Sequence, residues 1–150
     1  MAIPTRSFLV FMAIASCLSF PAKASTTVSV FQGEAAFGSA ETTPIKLKMF
    51  DSGPDARTER SVTLSLFLMG KDKTTGQDYV RTSILFQSAK LDTAGRTLDA
   101  VQEIISGGGT RILVSIACKG IEIATPDYDF QCVYRSSLSA SPFSLRLHSK

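Results

Sequence analysis

Alternation of apolar and polar residues at period two runs through most of the chain and constrains its fold more than any other feature. The alternation is clearest in Val62–Leu68 and Val80–Phe86, and Ile45–Met49 shows it as well. This spacing places the apolar side chains on one face of an extended strand, and that face can be buried. Shorter runs of the same kind bring the total to seven or eight strands, and they lie near Val28, Ile112, Phe130 and Phe143.

Short alternating segments separated by turn residues are typical of an all-β domain. We therefore predict a single-domain β-sandwich, or alternatively a small closed barrel, of seven or eight antiparallel strands. The polar segment Lys71–Asp78 contains Gly76 and separates the two clearest strands, so we expect it to connect them as a hairpin.

One segment, residues 98–106, breaks the period-two pattern. Its apolar residues have the spacing of one face of a helix, and they are Leu98, Val101, Ile104 and Ile105. Thr97 stands at the position of an N-cap, and Gly107–Gly109 end the pattern. These signals together predict one short helix near 98–106.

The first 24 residues have the features of an export signal. Arg6 provides a positive charge, an apolar run extends over Phe8–Phe20, and Pro21–Ala24 supplies a small-residue cleavage site. The run is shorter than the roughly 20 apolar residues of a membrane-spanning helix, and no later segment approaches that length. We therefore predict that residues 1–24 are removed and that residues 25–150 form one β-rich domain in the periplasm or outside a bacterial cell, with no membrane-spanning segment.

The segment Ile14–Cys17 allows a second interpretation of the same signal. It resembles the lipobox of bacterial lipoproteins, in which cleavage leaves a lipid-modified cysteine at the new N-terminus. Ile14 stands where leucine is usual, and Leu18–Phe20 continue the apolar run instead of opening a polar tether. The resemblance implies a lipid anchor at Cys17 and attachment to the membrane surface, as the alternative to a free exported domain.

Cys118 and Cys132 are the two cysteines that remain after removal of residues 1–24. In an oxidising compartment, an even pair of cysteines in a small exported domain favours one disulfide. Both cysteines occupy inward positions of adjacent predicted strands, so we expect a buried bridge between them. Two buried free thiols are the alternative, whereas a redox-active pair is disfavoured because the spacing differs from Cys-x-x-Cys.

The charge of the exported domain gives no electrostatic reason to expect nucleic-acid binding. Loss of Arg6 and Lys23 with the signal peptide lowers the formal net charge from +3 to +1. A surface this close to neutral lacks the basic patch that binds a phosphate backbone. We therefore expect the partner to be another protein of the envelope or the extracellular space, and no nucleic acid.

Residues that could support catalysis or bind a metal are few. His148 is the sole histidine and lies near the C-terminus, where chains often fray, so we expect neither a catalytic base nor a zinc site there. Asp127 and Asp129 form the densest acidic cluster, but the calcium-loop pattern around them is incomplete. Gly107–Gly109 precede a strand, the reverse of the order in phosphate-binding loops. We predict no catalytic, cofactor-binding or metal-binding residues.

Phe31 and Phe37 flank a stretch of small residues near the start of the exported domain. This segment is a candidate edge strand that pairs with a partner by β-augmentation. The other interpretation is a first strand whose glycines let it bend around the core.

The sequence shows no set of catalytic residues, and it predicts a rigid exported β domain. These two features together favour a non-enzymatic role. We predict a binding module that acts on another protein, for example as an inhibitor or an assembly accessory. The first alternative is an envelope-anchored structural subunit that self-associates through an edge strand. The second is a hydrolase that uses carboxylates near Asp127 and Asp129.

Overall fold

The structure is a computed structural model, and it describes residues 26–37, 41–52, 58–123, 125 and 127–149. The predicted signal peptide, with Cys17, lies outside the described residues. The described residues form eight strands, which are β1 (Thr27–Ala36), β2 (Thr42–Asp51), β3 (Glu59–Lys71), β4 (Asp78–Asp92), β5 (Thr97–Ile105), β6 (Arg111–Lys119), β7 (Asp129–Ser136) and β8 (Phe143–Ser149). No helix in this part of the chain has the length and apolar character needed to cross a membrane.

The eight strands form one closed antiparallel barrel. Each strand pairs with its neighbours in sequence, and β1 pairs with β8 to complete the circle. The prediction of an all-β fold is confirmed, in the form of the small closed barrel. A sandwich is not formed, because pairing of β1 with β8 joins the two edges of a single sheet. We call the end that carries the β1–β2, β3–β4, β5–β6 and β7–β8 connections the upper end, and the opposite end the lower end.

Inward-facing apolar side chains fill the barrel. In β2 the predicted alternation is confirmed, since Ile45, Leu47 and Met49 are each at most 2% exposed. Rings from β1 and β7, which both pair with β8, meet near the lower end, where Phe31 and Phe130 pack edge to face with centroids 5.0 Å apart. Such an edge-to-face arrangement adds to the stabilisation that burial of the rings supplies.

The predicted helix near 98–106 is wrong, and the segment forms β5, which pairs with β6 along its whole length. Leu98 and Ala100 are buried and point into the barrel, whereas Val101 and Ile105 lie exposed on its outer face. The helical spacing therefore combined side chains from both faces of a strand. Hydrogen bonding to β6 satisfies those backbone groups of the segment that point toward β6, in place of the internal bonds of a helix.

The predicted disulfide joins Cys118 of β6 to Cys132 of β7. The two residues are direct cross-strand partners with Cα atoms 4.0 Å apart, and both side chains point into the barrel. A disulfide is the form that paired cysteines adopt in an oxidising compartment, so its presence is consistent with export.

A turn and an ion pair close part of the lower end of the barrel. Gly120 adopts a φ of +85°, and the N–H groups of Gly120 and Ile121 both donate to the carbonyl oxygen of Arg96. This turn directs Ile121 into the barrel, where it is 2% exposed. A largely buried ion pair between Arg60 Nε and Asp51 Oδ2, 2.7 Å apart, connects β2 to β3 at the same end.

Candidate functional site

The barrel wall is incompletely paired between β4 and β5. β4 is paired with β5 over Ala89–Asp92 alone. Above that segment, β4 pairs only with β3, through Val80 and residues 82–86, and residues 101–105 of β5 pair only with β6, among the strands that the structure describes. We call this opening the β4–β5 gap.

A β-bulge in β4 explains where the gap begins. Between the pairs that β4 makes with Val62 and Leu64 of β3, it contains one extra residue, so Gln87 and Ser88 together oppose a single residue. A bulge bends its strand and increases the local twist, and it commonly ends pairing with a neighbour. Pairing of β4 with β5 stops at Ala89, next to this bulge.

The side chain of Gln102 crosses the gap at its lower corner. Its Oε1 accepts a hydrogen bond from the backbone N–H of Gln87, with 3.3 Å between nitrogen and oxygen. A side chain thus replaces the backbone acceptor that a paired strand would supply. Along the rest of the gap, every second residue of each strand presents its N–H and C=O groups toward the opening. Such groups form a template for pairing with another chain.

An apolar cavity lies at the upper end of the barrel, beside the gap. Its volume is about 190 Å³. The residues that line it are Phe37, Ile45, Leu66, Leu68, Thr82, Ile84, Tyr134 and Leu145. Thr82 and Ile84 belong to the part of β4 that borders the gap, so the cavity and the gap share a wall. Burial raises the pKa of the Tyr134 phenol above its ordinary value.

Aromatic packing forms one wall of this cavity. The ring of Phe37 packs edge to face against Phe143 with centroids 4.8 Å apart, and the ring of Tyr134 stacks on Phe143 at 6.1 Å. The remaining walls are aliphatic. The described lining residues include none that carries a charge, so the cavity favours apolar groups.

Exposed apolar side chains border the gap on the outer face of the barrel. Leu85 of β4 is 50% exposed, and Val101 and Ile105 of β5 are 62% and 66% exposed. Single exposed apolar residues are common on protein surfaces. These three lie on both sides of an unpaired opening, which is the arrangement that contacts an added strand.

The two phenylalanines predicted to mark an edge lie elsewhere. At Phe31, β1 pairs with both β2 and β8, and the ring is 2% exposed inside the barrel. Phe37 follows the end of β1 and lines the upper cavity. The structure thus places neither residue at an unpaired strand edge, whereas β4 and β5 have such edges at the gap.

The sequence contains one signal for the gap that the period-two analysis passed over. Apolar alternation in β4 runs to Phe86 and resumes at Ala89 and Leu91, all three of which are buried. Two consecutive polar residues, Gln87 and Ser88, separate them and shift the phase of the pattern. A phase shift of this kind indicates a bulge.

His148 lies between two carboxylates at the lower end. Its Nδ1 is 2.7 Å from Oδ1 of Asp129, and its Nε2 is 3.0 Å from Oδ1 of Asp127. The hydrogen bond to Asp129, followed by that to Asp127, raises the pKa of His148 above its ordinary value and favours the imidazolium, which donates from both nitrogens. Both carboxylates thus bind the same ring at an exposed site. A glycosidase instead holds its two carboxylates across a substrate cleft.

Metal-binding geometry is not found in the part of the chain that the structure describes. No group of three or more His, Cys, Asp or Glu side chains there is arranged to hold a metal ion.

No protein-family model matches the chain, and neither a curated protein nor a solved structure matches it.

Proposed function

We propose that the exported domain is a non-catalytic module that binds another protein of the bacterial envelope or the extracellular space, as an inhibitor or an assembly accessory. The observation that carries this proposal is the β4–β5 gap. An extended segment of a partner that enters the gap can hydrogen-bond to β4 on one side and to β5 on the other. This is β-augmentation, in which main-chain hydrogen bonds supply affinity.

Pairing on two sides favours this gap over an ordinary sheet edge. A strand added to a free edge pairs with one strand, whereas a strand that enters the gap above the Gln87–Gln102 hydrogen bond can pair with both β4 and β5. Side chains of the added strand that face outward lie between Leu85 and Val101, and both of these are exposed in the free protein. Apolar contacts across neighbouring strands stabilise such a pairing.

Export is the second part of the proposal. The predicted cleavage after Ala24 and the disulfide between Cys118 and Cys132 both support a periplasmic or secreted domain. Lipid attachment at Cys17 is the alternative, and it would confine the domain to a membrane surface. The intact mass of the protein purified from its native envelope distinguishes a chain that starts at Ser25 from an acylated chain that starts at Cys17.

Photo-crosslinking tests partner binding at the gap. A photoreactive amino acid is placed at Leu85, which borders the gap, or at Val133, which is exposed on a strand paired on both sides. In cells we expect a crosslink from Leu85 to another protein and no such product from Val133. The crosslinked protein is then purified, and amide hydrogen exchange is compared between the free domain and the complex.

Protection against exchange must appear at those amides of residues 81–86 and 101–105 that face the gap, if the partner pairs with it. Protection restricted to other strands, with these amides still exchanging as in the free domain, would contradict the proposal.

The same gap supports self-association as a second candidate function. An unprotected edge can pair with the edge of another copy, which would make the protein a structural subunit of the envelope. Sedimentation velocity over a range of protein concentrations separates the two functions. A monomer at high concentration argues against self-association, whereas a dimer that dissociates on dilution supports it.

A further inference from the structure

We infer that the segment which enters the β4–β5 gap is an amphipathic β-strand that inserts a large apolar side chain into the upper cavity. This inference rests on the proposed function and adds the chemical class of the partner. It is carried by the two residues that the gap and the cavity share, Thr82 and Ile84.

The pleat of the sheet determines where the side chains of an added strand point. Paired residues on neighbouring strands project their side chains to the same face. The barrel already shows this on the other side of β4, where Leu68 and Leu66 of β3 pair with Thr82 and Ile84, and all four line the cavity. A strand paired to the open side of β4 therefore sends every second side chain toward the same cavity.

The lining of the cavity determines which side chains it accepts. Its walls are aliphatic and aromatic, apart from the hydroxyl groups of Thr82 and Tyr134. A charged side chain would lose its hydration there without gaining an ionic partner. An aliphatic or aromatic side chain would bury its surface favourably. The volume of about 190 Å³ is sufficient for such a group, since cavities of about 150 Å³ bind benzene.

The outer face of the gap determines which side chains the added strand can present to solvent. Ser83 and Leu85 of β4, and Val101 and Glu103 of β5, are all exposed on this side. Partner side chains that alternate with the inserted ones remain at the surface, where polar residues are tolerated. The gap and the cavity together thus select a segment with apolar and polar residues in alternation, and they disfavour a uniformly charged segment.

Selection from a peptide library tests this inference and does not require the partner to be identified. Random nonapeptides displayed on phage, which match in length the stretch 80–88 of β4 that borders the gap, are selected on the purified exported domain. We expect the enriched peptides to carry large apolar residues at every second position. Replacement of the central apolar residue by alanine should weaken binding of the synthetic peptide about 10-fold to 100-fold, as expected for loss of one buried side chain.

Variants that fill the cavity provide the matched comparison. Ile84→Phe and Thr82→Leu each add side-chain volume inside the cavity and leave the backbone edge of β4 in place. Val133→Phe adds an aromatic ring on the outer face of a strand that is paired on both sides. We expect either filling variant to weaken peptide binding about tenfold or more, and the Val133 variant to bind as the wild type does. Circular dichroism identifies variants that retain the barrel, and two filling variants ensure that one misfolded protein does not decide the test.

The outcomes distinguish failure of this inference from failure of the proposed function. If the domain enriches no peptide, pairing at the gap is itself wrong. If enriched peptides lack the alternation, or bind the filled variants as tightly as the wild type, insertion into the cavity is wrong and pairing at the gap stands. If toluene perturbs the cavity residues in nuclear magnetic resonance spectra while the selected peptides do not, the cavity takes free apolar molecules and the inference is overturned.

Discussion

Removal of the disulfide in the variant Cys118→Ala/Cys132→Ala should lower the stability of the barrel by an amount that the structure allows us to calculate. The bridge joins residues separated by 14 positions, so it closes a loop of about 15 residues in the unfolded chain. The chain-entropy relation assigns such a loop a stabilisation of about 3 kcal/mol. Each alanine also removes a sulfur atom from a site that is 1% exposed, which adds on the order of 1 kcal/mol per site. The expected loss is therefore about 3–5 kcal/mol, a large share of the 5–15 kcal/mol that is typical of folded domains.

Equilibrium unfolding in urea measures this loss. The chain contains no Trp and three Tyr, so far-ultraviolet circular dichroism and tyrosine fluorescence are suitable signals. The reduced wild-type protein separates the two contributions, because reduction breaks the cross-link and keeps both sulfur atoms. We expect the reduced wild type to lose about 3 kcal/mol and the alanine variant to lose more. The dependence of the unfolding free energy on urea should also become steeper, since the unfolded chain without the bridge exposes more surface.

A loss below about 1 kcal/mol in the alanine variant would refute this reasoning, because it would mean that the bridge hardly restricts the unfolded chain. Identical losses for the reduced wild type and the alanine variant would refute the second part alone, namely the contribution of the buried sulfur atoms.

Two further predictions concern the pairing of β8 with its neighbours. The hydrogen bonds to Asp129 and Asp127 raise the pKa of His148 in the folded protein. Their contribution to the free energy of unfolding is therefore fully present below the unfolded pKa of about 6.5, and it is lost as the pH rises through the folded pKa. The urea midpoint of the wild type relative to His148→Gln should therefore fall as the pH rises above about 6.5, and a difference that does not change with pH would contradict the assignment. A Cβ atom at Gly33 would overlap the carbonyl oxygen of Arg146 on β8, whereas one at Gly107 meets no atom within 4 Å. Gly33→Ala should thus lower the melting temperature by several degrees and Gly107→Ala should not, and equal melting temperatures for the two variants would show that β1 and β8 are not in close contact at this point.

The buried strand faces and the disulfide could be predicted from local patterns. In β2, Ile45, Leu47 and Met49 share one face because successive side chains of a strand point to opposite sides. The inward positions of Cys118 and Cys132 follow from the same alternation, and they become direct partners once β6 and β7 pair antiparallel.

The β5 segment shows where a local pattern becomes ambiguous. Val101 and Ile105 are exposed apolar residues, and counting them as buried gave the spacing of a helix. Nothing within the segment distinguishes an apolar side chain on the outer face from one in the core. The distinction comes from β6, whose backbone pairs with β5 along its whole length.

The candidate site depends on residues that are far apart in the chain. Thr82 of β4 and Tyr134 of β7 line one cavity, and Gln87 meets Gln102 across the gap. The polar pair Gln87 and Ser88 indicates a bulge, but the opening it produces also requires β5 to be the neighbouring strand.

Alternation of residues was sufficient to predict an all-β fold of seven or eight strands, the buried face of most strands, and a cross-strand disulfide. Each of these three features depends on neighbours in sequence or on one adjacent strand. Closure into a barrel, the β4–β5 gap and the contact of His148 with two aspartates arise in the assembled sheet. Whether β1 meets β8 depends on the twist and stagger summed over eight strands, and the gap depends on one extra residue in β4 relative to β3. These are relations between distant segments, which no short stretch of the chain contains.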